Sequence, residues 1–535
     1  MRFRGKTARL AVTAGLTFSL ALGGVAPAVE AFAATTGSVT ISSTQNYTVK
    51  GDYKVYQLFT GSFDGTKMGD AKANAAYRDA VLTTLNEVLG TGNEVSIAGI
   101  SEDRAAIAIA DGIAGLSSTQ AQTFANKLAG ALKGAEATTT ASAQDGTLSV
   151  TGLAMGYYLV VAGADAGAKT SAILVPVNGD VTPEVKASTP TVDKQVKVGE
   201  GDFDNGNDVG LVNATAWENI TYKLDGTVAS NIDDYASYTY KFQDTLPKGV
   251  TADAARIANW NVRVAATIDG TEKDITAAFS ATTVAAASAD TGSVVTWSCD
   301  NLAAALNDAG LTSNHADAKI SLTYQPDYTT DEITNAMTGA DGELPSVKNT
   351  VKLIYSNDPY SGGEGSNEPT PDTPSDLYTY QLKVSKVGED GKALTGAGFT
   401  LKRGDTVIFD NQMVNEDGTL ALAGLDSNVE YTLVESTVPA GMKSIDPIKF
   451  TIKATKDANG KVTEVKAEET SDASSAADFT DDSTADIVLP VTVKNVEGSD
   501  LPLTGQAGII AGVAVGGVII AVSLVAVAHN RKNEE

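Results

Sequence analysis

The chain has 535 residues, with 39 Lys and Arg against 66 Asp and Glu, a formal net charge of −27 and 42% hydrophobic residues. Such an acidic surface repels nucleic acid and anionic membranes and suits a soluble extracellular protein. One cysteine, Cys299, excludes an internal disulfide, and two histidines leave almost nothing from which to build a metal centre or a Cys-His dyad.

In chain order, the first stretch reads MRFRGKTARLAVTAGLTFSLALGGVAPAVEAFAATT. Arg2, Arg4, Lys6 and Arg9 precede an apolar run from Leu10 to about Val25, and Ala31-Phe32-Ala33 offers small residues to a signal peptidase. Residues 1–33 are expected to be a secretory signal. Residues 34–187 predict an α+β domain. Strands are expected in SVTISS, DYKVYQLFTGSF, GTLSVTGLAMGYYLVVAG and SAILVPV. Helices are expected over Ala71 to Leu89 and Glu102 to Leu132, where apolar residues recur at three- and four-residue spacing.

Residues 188–360 are dominated by short alternating runs (ITYKL, YTYKFQDTL, WNVRVAATI, SVVTWSC, KISLTYQ, NTVKLIYSN) and predict a β-sandwich. Cys299 closes one such run as a buried thiol, and His315 falls in a polar loop. Residues 361–376, SGGEGSNEPTPDTPSD, read as a linker. Residues 377–499 predict a second sandwich with strands in YQLKVSKV, GFTLKRG, EYTLVEST, IKFTIKAT and LPVTVKNV. Residues 501–535 hold LPLTG, an apolar run from Ile509 to Ala528 long enough to cross a bilayer as a transmembrane helix, and a tail whose Arg531 and Lys532 favour the cytoplasmic side.

The two β segments share a pattern. Each has a lysine on its first strand (Lys194, Lys386), an acid inside a strand (Asp244, Glu435) and an asparagine on its last strand (Asn349, Asn495). Burial among apolar side chains lowers a lysine pKa and makes its neutral amine a nucleophile. It also raises a carboxyl pKa, so the acid can polarise an amide carbonyl and shuttle a proton. Lys54 and Asn178 are a further candidate pair in the first segment.

The pentapeptide, span and basic tail together resemble the sortase sorting signal of Gram-positive surface proteins. LKVSKVGEDGKALTGAGFTLKR with YTLVESTVPAGM resembles a collagen-adhesin B-type domain. PTVDKQV, YKFQDTLPKGV and NTVKLIYSN resemble the isopeptide-forming fimbrial domain of pilus backbone subunits. The resemblance implies a mainly β chain of tandem Ig-like sandwiches behind an α+β N-terminal domain. It also implies spontaneous isopeptide bonds Lys194–Asn349 and Lys386–Asn495, promoted by Asp244 and Glu435.

Leu501, Pro502, Thr504 and Gly505 are then the sortase recognition and cleavage residues, cut between Thr504 and Gly505. The threonine acyl group passes to a lysine of the next subunit. Lys186 is the best candidate and Lys169 its competitor, although Pro183-Glu184-Val185-Lys186-Ala187 departs from the family's Tyr-Pro-Lys-Asn core. The implied role is the major structural subunit of a cell-wall-anchored pilus that supports adhesion; the alternative is a wall-anchored adhesin or pilus-tip subunit. The implied partners are a sortase, copies of the chain, peptidoglycan and a host-surface receptor. No enzyme activity beyond self-crosslinking, no cofactor and no metal are expected.

Overall fold

The computed structural model describes residues 36–64, 67–163, 169–185, 187–208, 220–288, 290–337, 344–361, 369–470, 476–479 and 486–498. The chain is mainly β. Through Tyr378 it forms one compact unit, and from Thr379 it forms the body of another.

The first unit begins with the α+β part. Gly37–Ser42 pairs antiparallel with Thr147–Leu153 and parallel with Asp180–Val181. A second sheet runs in the order Lys67–Ala73, Asp52–Asp64, Gly156–Ala162, Ile173–Val177, with Thr139–Ser142 added to Asp52–Asp64. One face of that sheet packs on helices through Tyr56, Phe59, Val81, Leu85, Ile109, Phe124 and Leu128. Its other face packs on the first sheet through Val39, Ile41, Tyr53, Val55, Leu148 and Val160.

The helices differ from the sequence expectation in two ways. Ala71 to Ala73 end a strand, and the first helix is Arg78–Leu89. The long second pattern is cut into Glu102–Ala114 and Ser118–Ala131. The cut falls at Ser117, whose hydroxyl accepts from the Gln120 N–H while the Gln120 side chain accepts from the Ser117 N–H. This reciprocal cap starts a new helix regardless of the continuing apolar period.

The rest of the unit is a sandwich. One sheet has six strands in the order Gly206–Asp208, Thr373–Tyr378, Val347–Tyr355, Tyr240–Thr245, Val294–Cys299, Ser280–Ala285. The facing sheet has five: Thr271–Asp274, Arg263–Ile268, Lys319–Tyr324, Ile220–Thr227, Val192–Val198. The expected linker 361–376 therefore ends in a strand: Thr373–Tyr378 lies antiparallel to Val347–Tyr355, with Ser375 opposite Asn349. Pro374 is tolerated because the strand's other neighbour begins only at Asp376. His315 is also not in an open loop. It is buried in a short 3₁₀ turn, with Nδ1 2.5 Å from Asp233 Oδ1 and Nε2 2.6 Å from the Leu311 carbonyl. Cys299 is buried, which pushes its thiol pKa up to about 11.

The α+β part and this sandwich are joined by polar contacts. Tyr360 reaches back from the end of the sandwich, packs against the helical core and donates to the Thr170 carbonyl at 2.5 Å. Lys169 Nζ lies 2.5 Å from Asp358 Oδ2, and Asn126 donates to the Asp234 carbonyl at 3.0 Å. Tyr360→Ala should lower the unfolding free energy of this unit by about 2–4 kcal/mol. Tyr360→Phe should cost only about 1 kcal/mol. Urea midpoints of the two variants check this, and an unchanged midpoint in Tyr360→Ala would show the contact to be idle.

The second unit is a smaller sandwich. Its four-stranded sheet runs Thr419–Leu425, Tyr380–Val387, Val488–Lys494, Ala477–Asp478. Its five-stranded sheet runs Thr406–Met413, Gly398–Arg403, Glu430–Thr437, Ile448–Lys456, Val462–Glu469. First and last long strands are neighbours here: Tyr380–Val387 and Val488–Lys494 pair in parallel, with Lys386 opposite Val493.

Candidate functional site

Strand periodicity aims three unusual residues into the core of the first sandwich. Side chains alternate between faces. Val347, Asn349, Val351 and Leu353 face inward on one strand, and Tyr240, Phe242 and Asp244 on its neighbour. Asp244 stands opposite Val351, which makes it the diagonal neighbour of Asn349. Lys194 comes from the facing sheet, where Leu224 is its cross-strand partner. Packed sheets lie about 10 Å apart, a gap that a lysine from one sheet and an aspartate from the other close between them.

Lys194, Asp244 and Asn349 are each 0% exposed. Lys194 Nζ sits 2.6 Å from Asp244 Oδ2. The Tyr324 hydroxyl donates to the same oxygen at 2.7 Å and accepts from Asn349 Nδ2 at 2.7 Å. Nζ also faces the rings of Tyr222 and Tyr324, at 4.9 and 5.6 Å from their centroids. Asp244 Oδ1 and Asn349 Oδ1 are buried without a hydrogen-bond partner among the described residues. Burial pulls the Lys194 pKa down against the opposing pull of Asp244, and burial pushes the Asp244 pKa up. Both shifts favour an uncharged amine beside an uncharged acid.

The second unit holds the same three residue types in a different arrangement. Lys386 and Asn495 belong to one sheet, and Glu435 comes from the facing sheet, inward with Tyr431 and Leu433. The Asn495 N–H extends the parallel ladder by donating to the Val387 carbonyl at 3.0 Å. Lys386 Nζ donates to Asn495 Oδ1. Glu435 touches both partners, with Oε1 3.3 Å from Nζ and Oε2 accepting from Asn495 Nδ2 at 3.2 Å. Asn495 Nδ2 also donates to the Lys443 carbonyl at 3.0 Å. Phe399 covers the amine at 5.7 Å, and burial lowers the Lys386 pKa.

The remaining candidates fare differently. Leu501, Pro502, Thr504, Gly505 and Lys186 lie outside the described residues, as do the expected signal and the apolar run Ile509 to Ala528. No helix among the described residues is long and apolar enough to cross a membrane. Lys169 is mostly buried and engaged by Asp358. Lys54 and Asn178 do not meet. Lys54 is level with Val161, whereas Asn178 follows Val177, which is level with Gly156. About six residues of strand, roughly 20 Å, separate them. Tyr324 escaped the sequence reading, although its parity in KISLTY, with Ile320 and Leu322 inward, marks it as a core position.

The pair Lys194 and Asp244 makes a pH prediction. Alone, a lysine buried as amine adds stability as pH rises toward its unfolded pKa of about 10.4, and an aspartate buried as acid adds stability as pH falls toward about 3.9. Together they hold one proton folded and one proton unfolded between those values, so the slopes cancel. An Asn349→Ala variant, in which no bond can form, should therefore owe no pH slope to this pair between about pH 5 and 9. Adding Asp244→Asn should make stability rise with pH in this range, by up to about 1.4 kcal/mol per unit where the folded amine is wholly uncharged. Urea titrations of both variants across this range test it; equal slopes would contradict an uncharged Lys194.

Comparison with curated proteins gives no match. The chain is similar to the T6 backbone pilin of serotype M6 Streptococcus pyogenes at 15% identity, over 87% of this chain and 99% of that one, with a TM-score of 0.49. It is similar to the major pilin SpaA of Corynebacterium diphtheriae at 15% identity, over 86% and 100%, with a TM-score of 0.42. For the major pilin SpaD of the same organism the figures are 16%, 87% and 98%, and 0.38. Residues 380–471 match the family model described as SpaA, prealbumin-like fold domain. That match runs from the first strand of the second unit, Tyr380–Val387, to just past the strand Val462–Glu469.

Proposed function

We propose that the chain is the backbone subunit of a covalently assembled surface fibre, each sandwich of which closes its own Lys–Asn isopeptide bond. The observation that carries this reading is that both fully buried lysines lie against a buried acid within a cluster that also holds a buried asparagine. The prealbumin-like domain and the sorting-type terminus support it.

The chemistry follows from the contacts. A proton passes from the lysine ammonium to the carboxylate, leaving an amine and a neutral acid. Nζ attacks the side-chain carbonyl carbon of the asparagine, and the acid carries a proton to the departing nitrogen. The adduct's Nζ proton then returns to the carboxylate, ammonia leaves and an amide remains. Burial excludes the water that would keep the ammonium charged, and the folded strands hold the groups together.

Each bond joins residues far apart in sequence, 109 positions in the second unit. By analogy with a disulfide, closing a 100-residue loop is worth about 4.7 kcal/mol in the chain-entropy model. Mature protein should weigh about 17 Da less than its sequence for each bond, about 34 Da in all, from the lost ammonia. Glu435→Ala and Asp244→Ala should each restore about 17 Da and lower the melting temperature. Intact-mass spectrometry reads the first effect and calorimetry the second. A full sequence mass for the parent protein would remove the crosslinks altogether.

In the fibre, Thr504 of one subunit is joined by a sortase to Lys186 of the next, and the fibre is attached to peptidoglycan outside the cell. Lys169 is the poorer acceptor because Asp358 holds its amine. Tension then enters at Lys186, crosses the sandwich by Lys194–Asn349, continues to Lys386 and leaves through Asn495. The α+β part stays off this path. Peptide mapping of native fibres should find the Thr504 acyl group on Lys186. Its appearance on Lys169 would place the α+β part under load and overturn this route.

A further inference from the structure

The two clusters differ in how the acid reaches the leaving nitrogen. In the second unit Glu435 contacts both nitrogens, 3.3 Å from Lys386 Nζ and 3.2 Å from Asn495 Nδ2. One carboxyl group can take a proton from one nitrogen and give it to the other. In the first unit Asp244 contacts Lys194 Nζ at 2.6 Å, but its connection to Asn349 Nδ2 runs through the Tyr324 hydroxyl, at 2.7 Å on either side. The Tyr328 hydroxyl stands further from Nδ2, at 3.5 Å.

We propose that Tyr324 is a catalytic residue of Lys194–Asn349 bond formation, relaying a proton from Asp244 to the departing Asn349 nitrogen. This rests on the covalent reading given above. The direction of the hydrogen bonds sets the order of events. An amide nitrogen shares its lone pair with the carbonyl and can only donate, so in the unreacted cluster Tyr324 accepts from Nδ2 and gives its own proton to Asp244 Oδ2. When Nζ adds to the carbonyl carbon, that carbon becomes tetrahedral and Nδ2 regains a basic lone pair. The hydroxyl then turns to donate. Its proton moves to Nδ2 while the Asp244 acid proton replaces it on the phenol oxygen.

The adduct's Nζ proton next passes to the Asp244 carboxylate, the C–Nδ2 bond breaks and ammonia leaves. The five protons initially on the lysine ammonium and the asparagine NH₂ end as three on ammonia, one on the new amide and one on Asp244. Tyr324 finishes unchanged. Its two transfers have to be concerted, because burial pushes its pKa well above the usual phenol value and makes a free phenolate unfavourable. The ring is held for this role, with Tyr222, Trp260 and Trp297 at 5.3, 5.5 and 5.1 Å centroid distances.

The test compares the two crosslinks within one molecule. The full chain is translated in a cell-free system and quenched at intervals. Crosslinked peptides containing Lys194–Asn349 and Lys386–Asn495 are then quantified by mass spectrometry. Tyr324→Phe should slow the first bond about a hundredfold and leave the second unchanged. Tyr240→Phe, which removes another hydroxyl buried in the same sandwich and bonded to the Thr227 carbonyl at 2.9 Å, should change neither rate. Equal first-bond rates in parent and Tyr324→Phe would overturn the relay. Absence of the first bond from the parent would overturn the covalent reading itself. Should Tyr324→Phe lose protease resistance, 3,5-difluorotyrosine at position 324 keeps the hydroxyl and changes its acidity. A shifted first-bond rate then supports the relay, and an unshifted rate overturns it.

Discussion

A lysine with no access to water is the constraint around which each sandwich is organised. An isolated buried ammonium is too costly to keep, and a buried ion pair seldom recovers the full desolvation of both partners. Lys194 and Lys386 each have a carboxyl group and aromatic faces as neighbours, which lessen that penalty without abolishing it. Transfer of the proton to the acid removes both charges at once. The proposed amide goes further, since it would convert the amine permanently into a neutral group that an apolar core can hold. Under the proposed function, the features that make these lysines awkward for folding are thus the ones that would make them reactive.

The two clusters reach that state from opposite directions. In the first, the lysine crosses the gap between sheets to an acid and an amide on one facing sheet. In the second, lysine and amide are neighbours within a sheet and the acid crosses. Glutamate, longer by one methylene, spans its gap unaided. Asp244, on a strand adjacent to Asn349, is connected to it through the Tyr324 hydroxyl. Equivalent residue types therefore do not imply equivalent hydrogen bonding.

Much of this was legible in the sequence because strand parity is simple. Once Phe242 and Val351 are taken as inward, Asp244 and Asn349 follow by counting in twos, and Leu433 does the same for Glu435. Parity does not say which inward residues of different strands meet, so Tyr324 stayed hidden within KISLTY. Composition misled at Thr373–Tyr378, where serine and proline suggested a linker, but pairing with Val347–Tyr355 buries Ser375 and Asp376. Periodicity misled at Ser117, where a local cap outranks a continuing apolar stripe. The seating of Tyr360 in the helical core was beyond any local signal, since it joins residues nearly two hundred positions apart.

The lysine and the asparagine of each sandwich lie far apart in sequence, and under the proposed function this has a consequence for resistance to proteolysis. With the bond closed, the segment between Lys386 and Asn495 is a covalent ring from which the flanking chain leaves as two tails. A protease that cuts one peptide bond anywhere in that ring opens it without separating the tails, because they remain joined through the side-chain amide. The same holds between Lys194 and Asn349. Any one loop inside a ring can then be nicked while the tails stay joined, whereas a single cut outside the rings, in the α+β part or between Asn349 and Lys386, severs the chain.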